Sequence, residues 1–501
     1  MTCCGVLSDM TVYFVNNNYK YETEAVLKIF CPLERFSFVY DHKPCKGRDM
    51  VIISDGSDGN DGEALYVYAD IGGVSGELSE DIHREADRRS RELSLCRMLF
   101  RVLRDITGVS PEWGCLTGVR PIKLANSIIS RGADMEGLCR ELSEKYFVSR
   151  RKGELAYRTA VTQRPLLASL SPQSYSLYIA IPFCPSRCAY CSFVSHSIES
   201  KGAARLIPEY VDMLCREISE LGKILRDKKM FCNTVYIGGG TPTTLSGAQL
   251  EKIMGTIAEN IDISRVTEYN VEAGRPDTIT REKLAVIKKA GATRISVNPQ
   301  TMNDSVLAAI GRRHTAAQVA DCFRLARSMG FDNINTDTIA GLPTDTADSF
   351  RATIERLLQM SPESITVHTL TVKRSSNLSG NAEDIRRDFL TGGEPVQMVN
   401  FAYDRLTGSG YSPYYLYRQK NTVGNLENVG YAKPGYEGLY NICIMEEAQN
   451  ILACGAGAST KLIDRATGKI TRFFNYKYPY EYISRYDKMT EYKSEIERFG
   501  Y

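Results

Sequence analysis

The chain lacks long apolar runs and an excess of charge of either sign. No apolar stretch in its 501 residues approaches the ~20 residues that a membrane-spanning helix needs. Residues 1–10 carry neither the basic flank nor the apolar core of a secretory signal peptide. Lys and Arg number 62 against 60 Asp and Glu, mixed along the chain, so the net charge is only +2. We therefore expect a cytoplasmic protein with no membrane span and no nucleic-acid-binding surface, which would need clustered positive charge.

Tryptophan is nearly absent, and the cysteines lack the pattern of a disulfide framework. The single tryptophan, Trp113, is expected to pack in a core rather than to form a site. The 15 cysteines are odd in number and scattered, which favours a reducing compartment. A chain of this length, with 43% apolar residues, predicts two or three globular domains. Four cysteines fall within helical patterns and are expected to fill core volume: Cys96, Cys139, Cys215 and Cys322.

Three further cysteines follow one another at C-x3-C-x2-C spacing. Cys184, Cys188 and Cys191 come after the apolar segment LYIAIPF, and the aromatic Tyr190 stands just before the last of them. A zinc loop is the alternative, but zinc sites usually add a second Cys or His pair, and none lies nearby. Cysteine thiolates are the usual ligands of iron–sulfur clusters, which need four ligands. The spacing therefore predicts a cubane cluster with one iron left open to a ligand that is not protein.

The wider segment, Tyr-x-x-Ile-Pro-Phe-Cys-x3-Cys-x-Tyr-Cys-x-Phe from Tyr178 to Phe193, resembles the radical S-adenosylmethionine (SAM) superfamily. Within it, the segment resembles the oxygen-independent coproporphyrinogen III oxidase group, which commonly has His where this chain has Ala180. The resemblance implies a [4Fe-4S] cluster whose open iron is chelated by SAM, and reductive cleavage of SAM to a 5′-deoxyadenosyl radical. Two other segments, PEWGCLTGVRPIKL from Pro111 and the stretch from Arg418 to Tyr431, resemble the HemZ branch of coproporphyrinogen dehydrogenases.

Strand and helix patterns alternate through the middle of the chain. This β-then-α order predicts parallel strands with right-handed crossovers. We expect an α/β fold, a six-stranded partial TIM-type barrel, which is also the core fold of the superfamily that the chain resembles. The chemistry of such barrels lies at the C-terminal strand ends. The expected strands are 177–183, 234–237, 267–272, 294–297, 333–339 and 364–370, and helices between them include 204–225, 247–259, 281–290, 316–329 and 348–358.

The sequences on either side of the barrel differ in pattern. A long amphipathic pattern predicts a helix from about Ser79 to Thr107, and the basic cluster from Ser149 to Lys152 is expected to be a solvated helix start. Four short strand-like runs come earlier: 11–15, 36–40, 50–54 and 64–69. We interpret residues 1–170 as an α+β accessory domain, 171–380 as the barrel, and 381–501, rich in Tyr and Gly, as a cap that covers the substrate.

A glycine-rich loop and single polar residues follow the predicted strands. Gly239, Gly240 and Thr241 come after the second strand, where bare main-chain groups can bind a charged amino-acid moiety. Buried charged groups at strand ends need partners, so the polar residues there predict either salt bridges inside the barrel or ligand contacts. These polar residues are Glu272, Gln300, Arg312 and Asp337.

The resemblance implies that these positions bind SAM. Gly239, Gly240 and Thr241 would contact its methionine end. Its methionine portion, its ribose and the groups between would be bound by Glu272, Gln300, Arg312 and Asp337, with Tyr178 and Tyr190 completing the cofactor-binding set. Arg275 and Arg313 are second-rank candidates. No catalytic role is assigned to the neighbouring His196, His314 and His368.

The reaction implied by the resemblance is oxidative decarboxylation of coproporphyrinogen III to protoporphyrinogen IX. The partners would be this tetrapyrrole and an electron donor such as flavodoxin or ferredoxin. Because the substrate is a polyanion, Arg418 and Lys420 are candidates for its carboxylates. Two alternatives stay open. One is a haem-binding chaperone, although such relatives usually carry His-Asn-x-x-Tyr-Trp where this chain has Tyr440 to Met445. The other is a radical enzyme that acts on another tetrapyrrole.

Overall fold

The computed structural model divides into two compact units. One comprises Met1–Tyr157, Ser379–Val396 and Arg418–Glu427, and the other comprises Arg158–Leu378, Gln397–Tyr417 and Asn428–Tyr501. The division into three domains stays a prediction. The structure describes residues 9–32, 34–40, 45–56, 64–83, 85–191, 193, 195–200, 202–226, 228–371, 393–419, 422–489 and 493–498.

The first unit is built on a five-stranded sheet with the order β2-β1-β3-β4-β5. Its strands are β1 (Asp9–Val15), β2 (Arg35–Tyr40), β3 (Met50–Asp55), β4 (Ala64–Ile71) and β5 (Val74–Asp81). Strand β1 runs parallel to both neighbours, and β3, β4 and β5 form an antiparallel meander. One face of the sheet is covered by the apolar sides of α1 (Lys20–Phe30) and α2 (Arg88–Thr107). Helices α3 (Pro121–Ser130), α4 (Met135–Tyr146) and α5 (Arg150–Ala168) follow.

The helix predicted from Ser79 to Thr107 is wrong in its first nine residues. Residues 79–81 belong to β5, which the sequence analysis missed, and the helix begins only at Arg88. Gly72 and Gly73, both with positive φ, make the turn between β4 and β5, and pairing with β4 outweighs the helical pattern of the short segment. Asp87 then caps the helix by accepting a hydrogen bond from the Ser90 amide. The four strands that were predicted for this region are confirmed.

A buried ion cluster occupies the interior of this unit. The Lys152 ammonium lies 2.6 Å from Oε1 of Glu427 and 3.1 Å from Oε2 of Glu112. The indole of Trp113 donates a 2.7 Å hydrogen bond to the other oxygen of Glu427. Trp113 is therefore a buried packing residue, as predicted. The prediction of a solvated basic cluster is wrong for Lys152, because only 1% of this residue is exposed and two carboxylates hold its charge.

We expect Lys152→Met to destabilise the protein by about 3–5 kcal/mol, because the substitution leaves the Glu427 carboxylate buried without its cation. Urea unfolding of the two proteins measures the difference. Lys145→Met is the matched control, because the Lys145 ammonium is half-exposed in its 2.8 Å pair with Glu141 and should contribute less than about 1 kcal/mol. Equal stability of the Lys152 variant and the wild type would contradict the expectation.

The second unit contains an eleven-stranded sheet. Its order is β14-β15-β13-β12-β11-β10-β9-β6-β16-β17-β18. The six predicted strands are neighbours within it and run parallel, and β16 adds a parallel strand beside β6. The strands of this unit are β6 (Ser174–Ile181), β7 (Phe183–Cys184), β8 (His196–Ser197), β9 (Phe231–Gly239), β10 (Glu268–Glu272), β11 (Arg294–Ser296), β12 (Ile334–Ala340), β13 (Ser364–Thr369), β14 (Ser412–Arg418), β15 (Glu427–Ala432), β16 (Asn450–Cys454), β17 (Ser459–Ile463) and β18 (Ile470–Phe474). The α/β class is confirmed.

Helices connect successive parallel strands, as the sequence predicts. Short connections follow the strand ends, and several helices begin at a Ser, Thr or Asn whose side chain accepts a main-chain hydrogen bond, namely Ser246, Thr280, Asn303, Thr315 and Thr346. The helices are α6 (Ala203–Arg226), α7 (Gly247–Asn260), α8 (Arg281–Lys289), α9 (Asp304–Ala309), α10 (Ala316–Ser328), α11 (Ala347–Met360), α12 (Gly393–Thr407), α13 (Leu439–Glu446), α14 (Pro479–Ser484), α15 (Tyr486–Met489) and α16 (Lys493–Arg498). Among the described residues, no helix is both long and apolar enough to cross a membrane.

Helix α13 lies at the N-terminal ends of the parallel strands. The buried carboxylate of Glu268, the first residue of β10, accepts hydrogen bonds from the amides of Leu439 and Tyr440 at 2.6 and 3.3 Å. Arg294, the first residue of β11, donates to the Tyr436 carbonyl at 2.8 Å. These bonds hold residues 436–440 across the N-terminal ends of the strands. The polar loops described next lie at the opposite, C-terminal ends.

Candidate active site

The three cysteines lie on the loop that follows β6. Cys184 ends β7, which pairs with β8, and its Sγ lies 3.5 Å from Oγ1 of Thr241. Burial raises the pKa of the Cys191 thiol to about 11, and the nearby Cys188 and Cys184 thiols act in the same direction. Across the described residues, no three Cys, His, Asp or Glu side chains converge as the ligands of a single metal ion do. Thiolates that bind different irons of a cubane do not need to converge.

The glycine-rich loop after β9 lies against the start of the cysteine loop. The amide of Gly240 donates to the Ile181 carbonyl at 2.7 Å, and the amide of Thr241 donates to the Phe183 carbonyl at 2.8 Å. A Cβ on Gly240 would lie 2.5 Å from the Phe183 oxygen and 3.0 Å from Sγ of Cys184. Gly239 has φ 107°, a conformation that strongly favours glycine. The sequence Gly-Gly-Thr is therefore needed here for close approach between two loops.

Two carboxylates and an imidazole lie together on the next strands: Glu272 ends β10, Asp337 lies in the middle of β12 rather than at its predicted strand end, and His368 lies near the end of β13. Burial raises the pKa of Glu272 to about 7, and repulsion from Asp337 adds to this effect. Burial would also raise the pKa of Asp337, but the neighbouring His368 imidazole and the Asn335 amide hold it below its ordinary value. Nε2 of His368 lies 3.8 Å from Oδ2 of Asp337. Although burial opposes its charge, the pKa of His368 is raised by Asp337. The carboxylates of Glu272 and Asp337 together therefore favour a cation beside Glu272.

Hydrogen bonds link Glu272 to side chains that the sequence analysis missed. The Tyr236 hydroxyl donates to one oxygen of Glu272, and the Asn298 amide donates to the other at 3.1 Å. The Tyr236 ring stacks on Tyr440 with a centroid separation of 4.4 Å and on Tyr178 at 6.0 Å. Tyr236 was treated as part of an apolar strand, so nothing marked it as polar. Asn298 stands two residues before Gln300 at the same strand end, a position that could have identified it.

Gln300 and Asn298 carry buried side-chain oxygens close to Glu272 and Asp337. Gln300 has φ 70°, and its main chain pairs with β12 through the Asp337 carbonyl at 2.9 Å. Oε1 of Gln300 and Oδ1 of Asn298 are buried and have no hydrogen-bond partner among the described residues. Buried polar atoms are usually paired. These two oxygens therefore point to a ligand that donates hydrogen bonds.

Two buried arginines connect the strand ends with the cysteine loop. Arg312 donates to the Tyr190 hydroxyl at 2.8 Å and to the carbonyls of Gly274 and Asn298. Arg275 donates to Sγ of Cys188 at 3.4 Å. Together with the contacts above, these bonds bring the residues predicted for the cluster and for SAM into one connected region of the second unit.

Three further residues named in the sequence analysis, Arg313, His314 and His196, have different surroundings. Arg313 is exposed and pairs with Glu199. His314 is buried, and burial, followed by the charges of Arg312 and Arg275, lowers its pKa to about 4. His196 packs edge-on against Tyr478.

The prediction that Arg418 binds substrate carboxylates is contradicted. Only 4% of Arg418 is exposed, and its guanidinium donates to the main-chain carbonyls of Leu116, Gly118 and Asn425 in the first unit. These carbonyls engage both terminal nitrogens and hold the guanidinium within the first unit, while its Nε has no hydrogen-bond partner among the described residues. Lys420, the second candidate, lies outside the described residues.

Comparisons with known proteins identify the family of this chain. Residues 178–357 match the model of the radical SAM superfamily. The oxygen-independent coproporphyrinogen-III oxidase-like protein HemZ of Bacillus subtilis is 41% identical over 83% of this chain and 83% of its own length. The heme chaperone HemW of B. subtilis is 32% identical over 56% of this chain and 70% of its own length.

A solved structure shares the fold. Coproporphyrinogen III oxidase (HemN) from Escherichia coli superposes with a TM-score of 0.51 at 23% identity, over 66% of this chain and 72% of that protein. The two proteins therefore share a fold. The chain belongs to the radical SAM superfamily, which uses a [4Fe-4S] cluster and SAM, and within it to the family of the coproporphyrinogen-III oxidase-like protein HemZ.

Proposed function

We propose that this protein carries out the oxygen-independent oxidative decarboxylation of coproporphyrinogen III to protoporphyrinogen IX. The observation that carries the proposal is the half-buried pair Glu272 and Asp337 in the same region as the cysteine loop, an arrangement suited to hold a cationic cofactor next to a cluster. The substrate is inferred from HemZ of B. subtilis, which is 41% identical and is named as an oxygen-independent coproporphyrinogen-III oxidase-like protein.

The cysteine loop fits an iron–sulfur cluster. Cys184, Cys188 and Cys191 supply three thiolates, and the buried cations Arg275 and Arg312 lie close enough to offset their negative charge. Three protein ligands leave one iron for SAM. We assign the three cysteines to the cluster.

The region beside the loop fits SAM. Its sulfonium is cationic, and Glu272 and Asp337 provide the negative charge. The unpaired oxygens of Asn298 and Gln300 can accept hydrogen bonds from its hydroxyl or amino groups. Gly239 and Gly240 have no side chain that would fill the space. We assign these residues, with Thr241, Arg312, Tyr178 and Tyr190, to SAM binding or to the support of its site.

When bound, the cluster and SAM would supply the one-electron chemistry that removes a hydrogen atom from a propionate β-carbon of the substrate. Each reacting propionate would then lose carbon dioxide and pass one further electron to an external one-electron acceptor, which leaves a vinyl group. The protein's own part is to bind, orient and exclude water. The stacked rings of Tyr178, Tyr236 and Tyr440 fill the space beneath Glu272, so water is kept from the reacting groups on that side.

Binding of SAM is expected to release protons near pH 7. Because the pKa of Glu272 is about 7, this carboxyl is about half protonated in the free protein at that pH. A cation stabilises the carboxylate, so binding should expel up to about half a proton from this site, and affinity should fall as the pH drops below 7. Calorimetry of SAM binding in two buffers with different ionisation heats measures the release. Glu272→Gln should bind more weakly and lose this release, whereas a wild-type heat that is independent of buffer would contradict the assignment.

An anaerobic turnover experiment tests the reaction. The cluster is reconstituted, and reductant, SAM and coproporphyrinogen III are added. A flavodoxin or ferredoxin is the proposed natural electron donor. We expect mass spectrometry to show a product that has lost two carboxyl groups, together with 5′-deoxyadenosine. If SAM is cleaved while coproporphyrinogen III persists, the substrate assignment fails and haem becomes the next compound to test.

A haem chaperone is the second candidate, because HemW of B. subtilis is 32% identical to this chain. The aligned segment at Tyr440 argues against it. Tyr440 and Cys443 are both buried, Tyr440 against Tyr236 and Tyr178, so neither presents a ligand to an incoming haem. Stoichiometric haem binding without turnover of SAM would favour the chaperone over the oxidase.

A further inference from the structure

Arg275 donates a hydrogen bond to a predicted cluster ligand, Cys188, whereas Arg313 pairs with Glu199. Its side chain is 3% exposed. One terminal nitrogen lies 3.4 Å from Sγ of Cys188, and the other lies 3.1 Å from Oγ of Ser186, within the same loop. Nε and a terminal nitrogen each donate a 3.0 Å hydrogen bond to Asp277. The guanidinium is thus oriented by an acid on one side and directed at the thiol on the other.

The backbone that carries Arg275 is held in place by its own contacts. Residues Pro276–Thr278 form a 3-10 turn directly after it, and the Thr278 hydroxyl donates to the Arg275 carbonyl at 2.8 Å. The Cys322 thiol of α10 donates to the Pro276 carbonyl. A charged side chain that is buried and fixed in this way costs desolvation energy, which its contacts must offset.

We propose that Arg275 sets the reduction potential of the cluster by donating a charge-assisted hydrogen bond to the Cys188 thiolate. Hydrogen bonds to cluster sulfurs and nearby charge are among the factors that fix such potentials. A cation beside a ligand sulfur stabilises the reduced cluster, which carries one more negative charge than the oxidised one. Arg275 therefore makes the cluster easier to reduce. This inference rests on the cluster assignment but not on the tetrapyrrole substrate.

The competing explanation is purely structural: Arg275 would only tie the cysteine loop to the end of β10. Two substitutions separate the explanations. Arg275→Gln removes the charge, and Arg275→Lys keeps it but cannot maintain contacts with Ser186, Asp277 and Cys188 together. The control is Arg324→Gln, because Arg324 is exposed on α10, where it pairs with the equally exposed Asp321.

The experiment measures the cluster's midpoint potential in each reconstituted variant, with iron content determined first. The fraction of reduced cluster is read by electron paramagnetic resonance at a series of solution potentials. At the wild-type midpoint we expect the ratio of reduced to oxidised cluster in Arg275→Gln to fall about tenfold, equivalent to about 59 mV for one electron. Arg275→Lys should show a smaller fall and Arg324→Gln none.

An unchanged midpoint in Arg275→Gln at full iron content would overturn the proposal. If that variant binds little iron, Arg275→Lys decides: a lowered midpoint at full iron content supports the proposal, and an unchanged one overturns it. Loss of iron from both variants, with folding intact, would assign Arg275 the structural role instead. Because no tetrapyrrole is present, failure of the proposed reaction does not affect this result.

Discussion

Cys188→Ala abolishes both cluster binding and SAM cleavage in our account. Removal of this thiolate leaves one iron of the cubane without its protein ligand, and two cysteines cannot hold the cluster. We expect iron content and visible absorbance to fall to background after reconstitution, and 5′-deoxyadenosine formation to fall below detection. Folding should persist, because Cys188 lies on a loop after β6 rather than in the sheet.

The matched control is Cys215→Ala. Cys215 is also a buried cysteine, but it lies in α6 and packs in the core. This variant should keep full iron content and activity, with a small loss of stability of about 1 kcal/mol from the lost packing. A Cys188→Ala protein that retained the cluster and cleaved SAM would refute the assignment of the three cysteines.

Gly240→Ala is expected to have the second large effect. Its Cβ would lie 2.5 Å from the Phe183 oxygen and 2.9 Å from the Ile181 oxygen, and neither main-chain atom can rotate away. The Gly240 amide also donates to Ile181 at 2.7 Å, so the loop cannot move outward without losing that bond. We expect a destabilisation of about 1–3 kcal/mol. Because Cys184 follows Phe183 directly, we also expect iron incorporation to fall by at least half.

Gly255→Ala is the control for this substitution. Gly255 lies within α7, and no atom lies within 4 Å of a Cβ built there. Alanine should stabilise that helix by about 0.5–1 kcal/mol and leave iron content unchanged. Thermal unfolding and iron analysis of the two variants side by side are sufficient. Wild-type iron content in Gly240→Ala would show that the two loops are not coupled as described.

The parallel strands could be predicted because sequence period and order carry that information. Strands such as β9 and β12 are buried along most of their length and alternate with amphipathic helices, so local pattern and fold agree. The same reasoning failed for residues 79–81, where a helical pattern belongs to a strand. That strand exists because of pairing with β4, which no local pattern contains.

The polar part of the site was predictable only where strand ends mark it. Glu272 ends β10 and Asp337 lies within β12 of the same parallel sheet, so their approach follows from the topology. Lys152 and Arg418 could not be placed in this way, because both are buried through partners distant in sequence, Glu427 for the one and Leu116 for the other. The role of Tyr236 was hidden because a tyrosine in an apolar strand is indistinguishable from core.

The most direct test of the account uses coproporphyrinogen III that carries deuterium on the β-carbons of its propionates. The reconstituted protein is reduced in the presence of SAM, and the 5′-deoxyadenosine is analysed by mass spectrometry. Our account predicts deuterium in the 5′-deoxyadenosine, accompanied by loss of two carboxyl groups from the substrate. Deoxyadenosine without deuterium, with the substrate intact, would show that this site does not act on the propionates of coproporphyrinogen III.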